Sequence, residues 1–151
     1  ISKKTISSTL IRKKISQGKI LEANRLLSRH WCVEGKVIRG NRRGRKIGFP
    51  TCNIKLNNYV IPKLGVYSVK VQTNHFNKKG IANIGYRPTF NGQKLLLEVN
   101  IFGINENLYN KVLSIRFLKF IRKEKKFKNL ELLKKQIKTD IRLAKKNNVK
   151  R

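Results

Sequence analysis

The chain has 151 residues and carries 37 Lys or Arg against 7 Asp or Glu, a formal net charge of +30. That length is one ordinary domain able to bury most of its apolar surface. No run of 18 apolar residues occurs, so no segment is expected to cross a membrane as a helix. Methionine is absent, which reads as a piece of a longer protein. The start, Ile1-Ser2-Lys3-Lys4, lacks the apolar core of a secretory signal. Cys32 and Cys52 have neither a CxxC partner nor a nearby His pair, which argues against zinc and for two free thiols in a reducing cytoplasm. The charge alone would suit a nucleic-acid binder. However, the cations run unclustered from Lys3 to Lys150 among many Asn and Ile, as an A/T-rich coding sequence would favour. Salt-sensitive, non-specific adsorption to RNA is expected; a specific nucleic-acid site and a membrane partner are not.

Residues 7–17 place Ile11 and Ile15 at helical spacing, with Ser7, Ser8 or Thr9 as the cap and Gln17-Gly18 as the stop. A second short helix has Ile20, Ala23 and Leu27 (or Leu26) on one face. From Trp31 the period falls to two, and Val33, Gly35 and Val37 alternate with polar neighbours as in a strand. A basic, Gly-rich loop spans 40–48. Residues 62–65 read as a turn, 66–72 as a strand, and 77–80 as a hairpin turn into a strand over 81–84. Strands are predicted over 95–102 and 112–120. After Phe127, Asn129 caps a helix whose apolar stripe is Leu130, Leu133, Ile137, Ile141 and Ala144, and residues 145–151 are expected to fray. Short strands with turn signals, then one long helix, predict an antiparallel barrel covered by a helix. The connections are too short for parallel crossovers.

The densest segment is Gly44-Arg45-Lys46-Ile47-Gly48-Phe49-Pro50-Thr51-Cys52-Asn53. Extended side chains alternate faces, so Thr51 and Asn53 point the same way. Two neutral oxygens beside a flexible basic loop suit a magnesium-nucleotide, because Mg²⁺ takes hard oxygen ligands and shares its shell with water and phosphates. The run Gly40-Asn41-Arg42-Arg43-Gly44-Arg45 lacks the G-K-[ST] ending of a P-loop. Glu98, one of few acids, shares a strand face with Leu96, Asn100 and Phe102. There it is either a partly desolvated general base or a solvent-facing partner of a lysine. The segment Asn83-Ile84-Gly85-Tyr86-Arg87-Pro88-Thr89-Phe90 reads alone as a strand end and turn, with Gly85 permitting close backbone approach. The run from Phe120 to Phe127 reads alone as a solvated rim, whereas beside a flat ring ligand its Arg122 could hydrogen-bond or stack. His30 and His75 read as structural or surface.

Taken in order, these pieces resemble the riboflavin kinase domain of bacterial bifunctional riboflavin kinase/FMN adenylyltransferases. The specific set is Pro50-Thr51-Cys52-Asn53 joined to the downstream Glu98-Val99-Asn100-Ile101-Phe102, with Ile121-Arg122-Lys123-Glu124 and a closing helix bearing Gln136 and Asp140. The resemblance implies a six-stranded antiparallel Greek-key barrel with a C-terminal helix and short N-terminal helices. It implies transfer of phosphate from ATP, with Mg²⁺, to the 5′-hydroxyl of riboflavin to give FMN, in the cytoplasm. By matched positions, Glu98 is the catalytic base and Thr51 and Asn53 hold Mg²⁺ and the nucleotide phosphates. Gly40, Arg45 and Gly48 belong to the flap over ATP, and Arg122 lies on the flavin side. Ile6-Ser7-Ser8-Thr9-Leu10-Ile11-Arg12 resembles the motif ending the adenylyltransferase module, so residues 1–28 are expected to be its tail and 29–149 the kinase domain. The chain departs from the family's usual residues at Ser28 (Gly), Trp31 (Tyr), Cys52 (Ala), Asn100 (His), Gly103 (Asp) and Asn110 (Gly). A flavin- or nucleotide-binding module without turnover, and a basic RNA-binding barrel, stand as the other readings.

Overall fold

The structure is a computed structural model and describes residues 6–40, 43–56 and 60–146. Two helices, α1 (Ser8–Ser16) and α2 (Ile20–Leu27), lead into β1 (Cys32–Ile38). A short helix, α3 (Arg43–Lys46), interrupts the predicted basic loop before β2 (Cys52–Lys55). Strands β3 (Gly65–Gln72), β4 (Asn77–Thr89), β5 (Gly92–Ile101) and β6 (Val112–Arg122) follow, and α4 (Leu130–Lys146) ends the described chain. The strands close into one barrel in the order β1-β2-β5-β4-β3-β6, with antiparallel pairing throughout. Within it β3, β4 and β5 form a meander and β6 returns beside β3, the Greek-key arrangement that the sequence reading expects. Among the described residues no helix is long and apolar enough to cross a membrane.

Period-two alternation builds the core. Ile54, Leu97 and Ile84 face each other across β2, β5 and β4, and all are fully buried. Tyr67 and Phe117 meet edge to face at 5.3 Å, and Trp31 lies 4.8 Å from Phe117. Helices α1 and α2 add Ile15, Ile20 and Ala23 to this cluster. Asn24 fastens them there: its Nδ2 donates to the Phe117 carbonyl (2.9 Å) and its Oδ1 accepts from the Trp31 amide (2.7 Å). Ser7 caps α1 by accepting from the Leu10 amide. Ser28 (φ 56°) and Asn110 (φ 68°) both occupy the left-handed region, which accounts for the glycine expected at each position.

Three expectations change. Residues 77–80 are strand rather than turn. The reversal comes earlier, where Thr73 Oγ1 accepts from the His75 and Phe76 amides at 3.1 and 3.2 Å. Gly80 then sits within the ladder because a Cβ there would lie 2.4 Å from the Asn100 carbonyl oxygen. The stripe of α4 packs the half-buried Ile137 and Ile141 and the buried Ala144 against Val66, Ile81 and Phe102, whereas Leu130 in the first turn is 62% exposed. Lys145 and Lys146 are helical, and the rest of the stretch expected to fray lies outside the described residues.

Candidate active site

The rows of residues that point away from the core assemble the site. Asn53 on β2 pairs with Glu98 on β5, which pairs with Asn83 on β4; Asn83 pairs with Val66 on β3, and Val66 with Arg122 on β6. One ring of the barrel thus carries Asn53, Glu98, Asn83 and Arg122 on a common face, because directly opposed residues share a side of the sheet. Thr51 is two residues before Asn53. Its segment is tied to β5 by Asn100, whose Nδ2 donates to the Pro50 carbonyl at 2.7 Å.

Two clefts open on this surface and meet at Thr51, which lines both. The smaller, about 270 Å³, is bordered by Arg39, Gly40, Arg45, Thr51, Asn53, Asn107 and Tyr109. Arg39 stacks its guanidinium 4.9 Å from the Tyr109 ring centre. The larger, about 570 Å³, is bordered by Phe49, Thr51, Asn83, Tyr86, Arg87, Glu98, Arg122, Glu124 and Phe127. Of the residues singled out in the sequence, Gly40, Arg45, Thr51 and Asn53 share the first cleft, and Glu98, Arg122 and Thr51 the second. Gly48 borders neither; its φ of +90° closes the turn after α3, where its amide donates to the Arg45 carbonyl.

The donor set at Thr51 and Asn53 fits a cation carried by phosphates. A hydroxyl and a carboxamide are hard, neutral oxygen donors. Among the described residues no group of three His, Cys, Asp or Glu forms a metal cage of its own. Gly40 makes the space: a Cβ there would lie 1.8 Å from Asn53 Nδ2, so the amide packs flat on bare backbone, 8% exposed. Cys52 also borders the smaller cleft, and burial pushes its thiol up to about 11.

Glu98 has a cationic partner that the alternating pattern could not supply. Arg87 Nε donates to Glu98 Oε1 at 2.7 Å, and Arg87 Nη1 donates to Glu124 Oε1 at 3.0 Å. Burial works against the charge on Arg87, yet Glu98 and Glu124 hold its pKa above the ordinary arginine value. Gly85 is what lets this cluster fold over β4, since a Cβ would lie 2.0 Å from Glu124 Oε1 and 2.6 Å from Arg87 Nη1. Arg122 forks onto Asp140 of α4, with Nε 3.0 Å from Oδ1 and Nη2 2.9 Å from Oδ2, and Gln136 Nε2 donates to the same carboxylate at 3.0 Å. Asp140 is 1% exposed. Arg122 therefore reaches the cleft from a clamped position, with its guanidinium carbon 5.8 Å from the Phe127 ring centre.

Sequence reasoning overlooked Arg87, Glu124, Asn83 and Asp140 as separate participants. Scarcity of acids was the available signal for Glu124 and Asp140. Asp140 also falls in phase with the half-buried Ile137 and the buried Ala144.

The sequence profile of the riboflavin kinase (flavokinase) family matches residues 27–148. The bifunctional riboflavin kinase/FMN adenylyltransferase of Bacillus subtilis is 43% identical over 141 residues, 91% of this chain and 45% of that protein. Its Haemophilus influenzae counterpart is 44% identical over 143 residues, 93% of this chain and 46% of that protein. The chain therefore spans less than half the length of these relatives. Among solved structures, a Streptococcus pneumoniae protein named a macrolide-efflux protein superposes with a TM-score of 0.87 at 37% identity, over 93% of this chain and 47% of that one. Riboflavin kinase from Trypanosoma brucei has a TM-score of 0.55 at 23% identity over 76% of this chain and 77% of that one, a likeness of fold alone. The profile match over most of the chain and the identity to these relatives show that it belongs to the riboflavin kinase family.

Proposed function

We propose that this domain transfers the γ-phosphoryl group of ATP to the 5′-hydroxyl of riboflavin, giving FMN and ADP. The observation that carries the reading is the meeting of two clefts at Thr51: one bordered by Arg39, Arg45 and neutral oxygens alongside Glu106, the other by Glu98, Glu124, two arginines and aromatic rings. Phosphoryl transfer needs in-line positioning and charge neutralisation more than covalent chemistry, and this division supplies both.

In this scheme Arg39 and Arg45 face the nucleotide phosphates in the smaller cleft. Thr51 and Asn53 hold Mg²⁺ with those phosphates, and the ion, when bound, neutralises charge on the transferring group. Riboflavin lies in the larger cleft, its ring against Phe49, Tyr86 and the clamped Arg122. Arg87 fixes one oxygen of Glu98, and the carboxylate takes the proton of the 5′-hydroxyl. The hydroxyl oxygen bonds to the γ-phosphorus as the bond to the ADP oxygen breaks. Gly48 contributes through the backbone turn that carries the flap. The relatives' names also support a parent protein with FMN adenylyltransferase activity. On that reading residues 1–28 continue from its module and 29–149 are the kinase, working in the cytoplasm on small-molecule substrates.

The test is the purified chain with ATP, Mg²⁺ and riboflavin, scored for FMN by chromatography. Glu98→Gln is expected to lower kcat about 10²–10⁴-fold with riboflavin affinity nearly intact. Equal loss of both refutes the base role. Bound flavin without FMN from the unaltered chain would identify a binding module instead.

A further inference from the structure

Asn83 stands at the centre of the outward row, directly opposite Glu98 on one side and Val66 on the other. It borders the larger cleft together with Glu98 and Arg87. Alone among the buried side-chain nitrogens and oxygens of the described residues, its Oδ1 has no hydrogen-bond partner. Buried polar atoms in native proteins are almost always paired, and an exception in a cleft points to a group that arrives from outside. The polar groups around it have other engagements. Glu98 is an acceptor and cannot satisfy an amide oxygen, Arg87 donates to Glu98, Glu124 and the Tyr86 carbonyl, and Asn100 Nδ2 donates to Pro50. A donor carried by the occupant of the cleft would satisfy Asn83, one strand over from the carboxylate.

Resting on the proposed reaction, we infer that Asn83 Oδ1 accepts a hydrogen bond from a secondary hydroxyl of the ribityl chain while Glu98 takes the terminal one. Opposed residues of an antiparallel pair lie about 4.5–5.5 Å apart at Cα, a span that two hydroxyls one or two carbons apart on a polyol can bridge. Asn83 thereby makes the site selective for a polyol over an alkyl chain. It also sets the torsion that aims the 5′-oxygen at the phosphorus, which a hydroxyl held by Glu98 alone would leave free to rotate.

The probe is a flavin with a 5-hydroxypentyl chain in place of ribityl, which keeps the terminal hydroxyl and lacks the secondary ones. The unaltered chain should prefer riboflavin over this analogue in kcat/KM. Asn83→Ala should lower kcat/KM for riboflavin about tenfold, the worth of one neutral hydrogen bond, and leave the analogue almost unchanged, so that the preference collapses. Its unliganded melting temperature should hold or rise, because an unpaired buried acceptor is gone. Asn83→Val, suited to a strand, gives the same readout if the alanine variant folds poorly. Equal losses on both flavins, with a shifted pH profile, would mean that the amide turns its N–H to Glu98 and would overturn the inference. So would a lowered melting temperature in both variants, the mark of a structural role. If the unaltered chain makes no FMN, the proposed reaction fails first. Fluorescence titration of the two flavins then reads the same preference: its collapse in the variant supports the contact, and its absence overturns it.

Discussion

Asp140→Asn isolates the clamp that holds α4 to the barrel and Arg122 in the cleft. The substitution keeps shape but removes the charge opposite a guanidinium whose side chain is 15% exposed. It also places an NH₂ where an oxygen now accepts from Arg122, at 3.0 Å from Nε or 2.9 Å from Nη2. Removing one member of a buried pair leaves an uncompensated charge, at a cost of about 3–5 kcal/mol. The partial exposure of Arg122 sets the expectation near the low end, about 3 kcal/mol. For a domain of this size that is a fall of about 6–12 °C in melting temperature. Urea unfolding followed by circular dichroism reads the free energy, and the slope with denaturant should stay constant. The double variant Arg122→Met/Asp140→Leu should recover most of the loss, because replacing a buried pair by apolar side chains is often neutral. A loss below about 1 kcal/mol for the single variant would place the pair in the ordinary range of surface ion pairs and refute the reasoning. So would a double variant as unstable as the single one.

Two further outcomes follow from local geometry. Gly40→Ala would put its Cβ 1.8 Å from Asn53 Nδ2 and expel the amide. The KM for ATP and the magnesium concentration for half activity should both rise, with riboflavin affinity unaffected; an unchanged magnesium dependence sinks the ligand role of Asn53. Cys52 is raised by burial to about 11 and Tyr67 is raised by burial as well. Each keeps its proton in the fold after the unfolded chain has lost it, so stability is full below the unfolded pKa and declines as pH climbs from about 9 toward 11. Urea midpoints across pH 8–11 should show the decline starting later in Cys52→Ala, and coincident curves would remove Cys52 from the account.

Local pattern carried much of this structure. The alternation of Val33, Val37, Tyr67, Val69 and Val71 marks strand faces that are buried as expected, and Ser7 caps the first helix. Thr51 and Asn53 stood out as two same-face oxygens beside a basic, Gly-rich loop, and Glu98 as an acid among apolar strand neighbours. The turn after β3 was misread because Asn-Lys-Lys-Gly has the look of a hairpin, whereas the Thr73 hydroxyl closes a tighter reversal before it. The pairing of Arg122 with Asp140, 18 residues apart on different elements, leaves no mark in either element's own period.

By itself the sequence determined which face of most strands is apolar, where the two N-terminal helices and the closing helix begin, and which residue types stand ready for phosphoryl chemistry, since these follow from periods of a few residues. Tertiary structure decided what adjoins what. Barrel closure put Asn53, Glu98 and Asn83 on one rung, brought two clefts together at Thr51, and folded Arg87 over Gly85 onto Glu98. Strand order and register are properties of the closed sheet, set by how the whole apolar surface is buried. They become readable only once every strand has its neighbours.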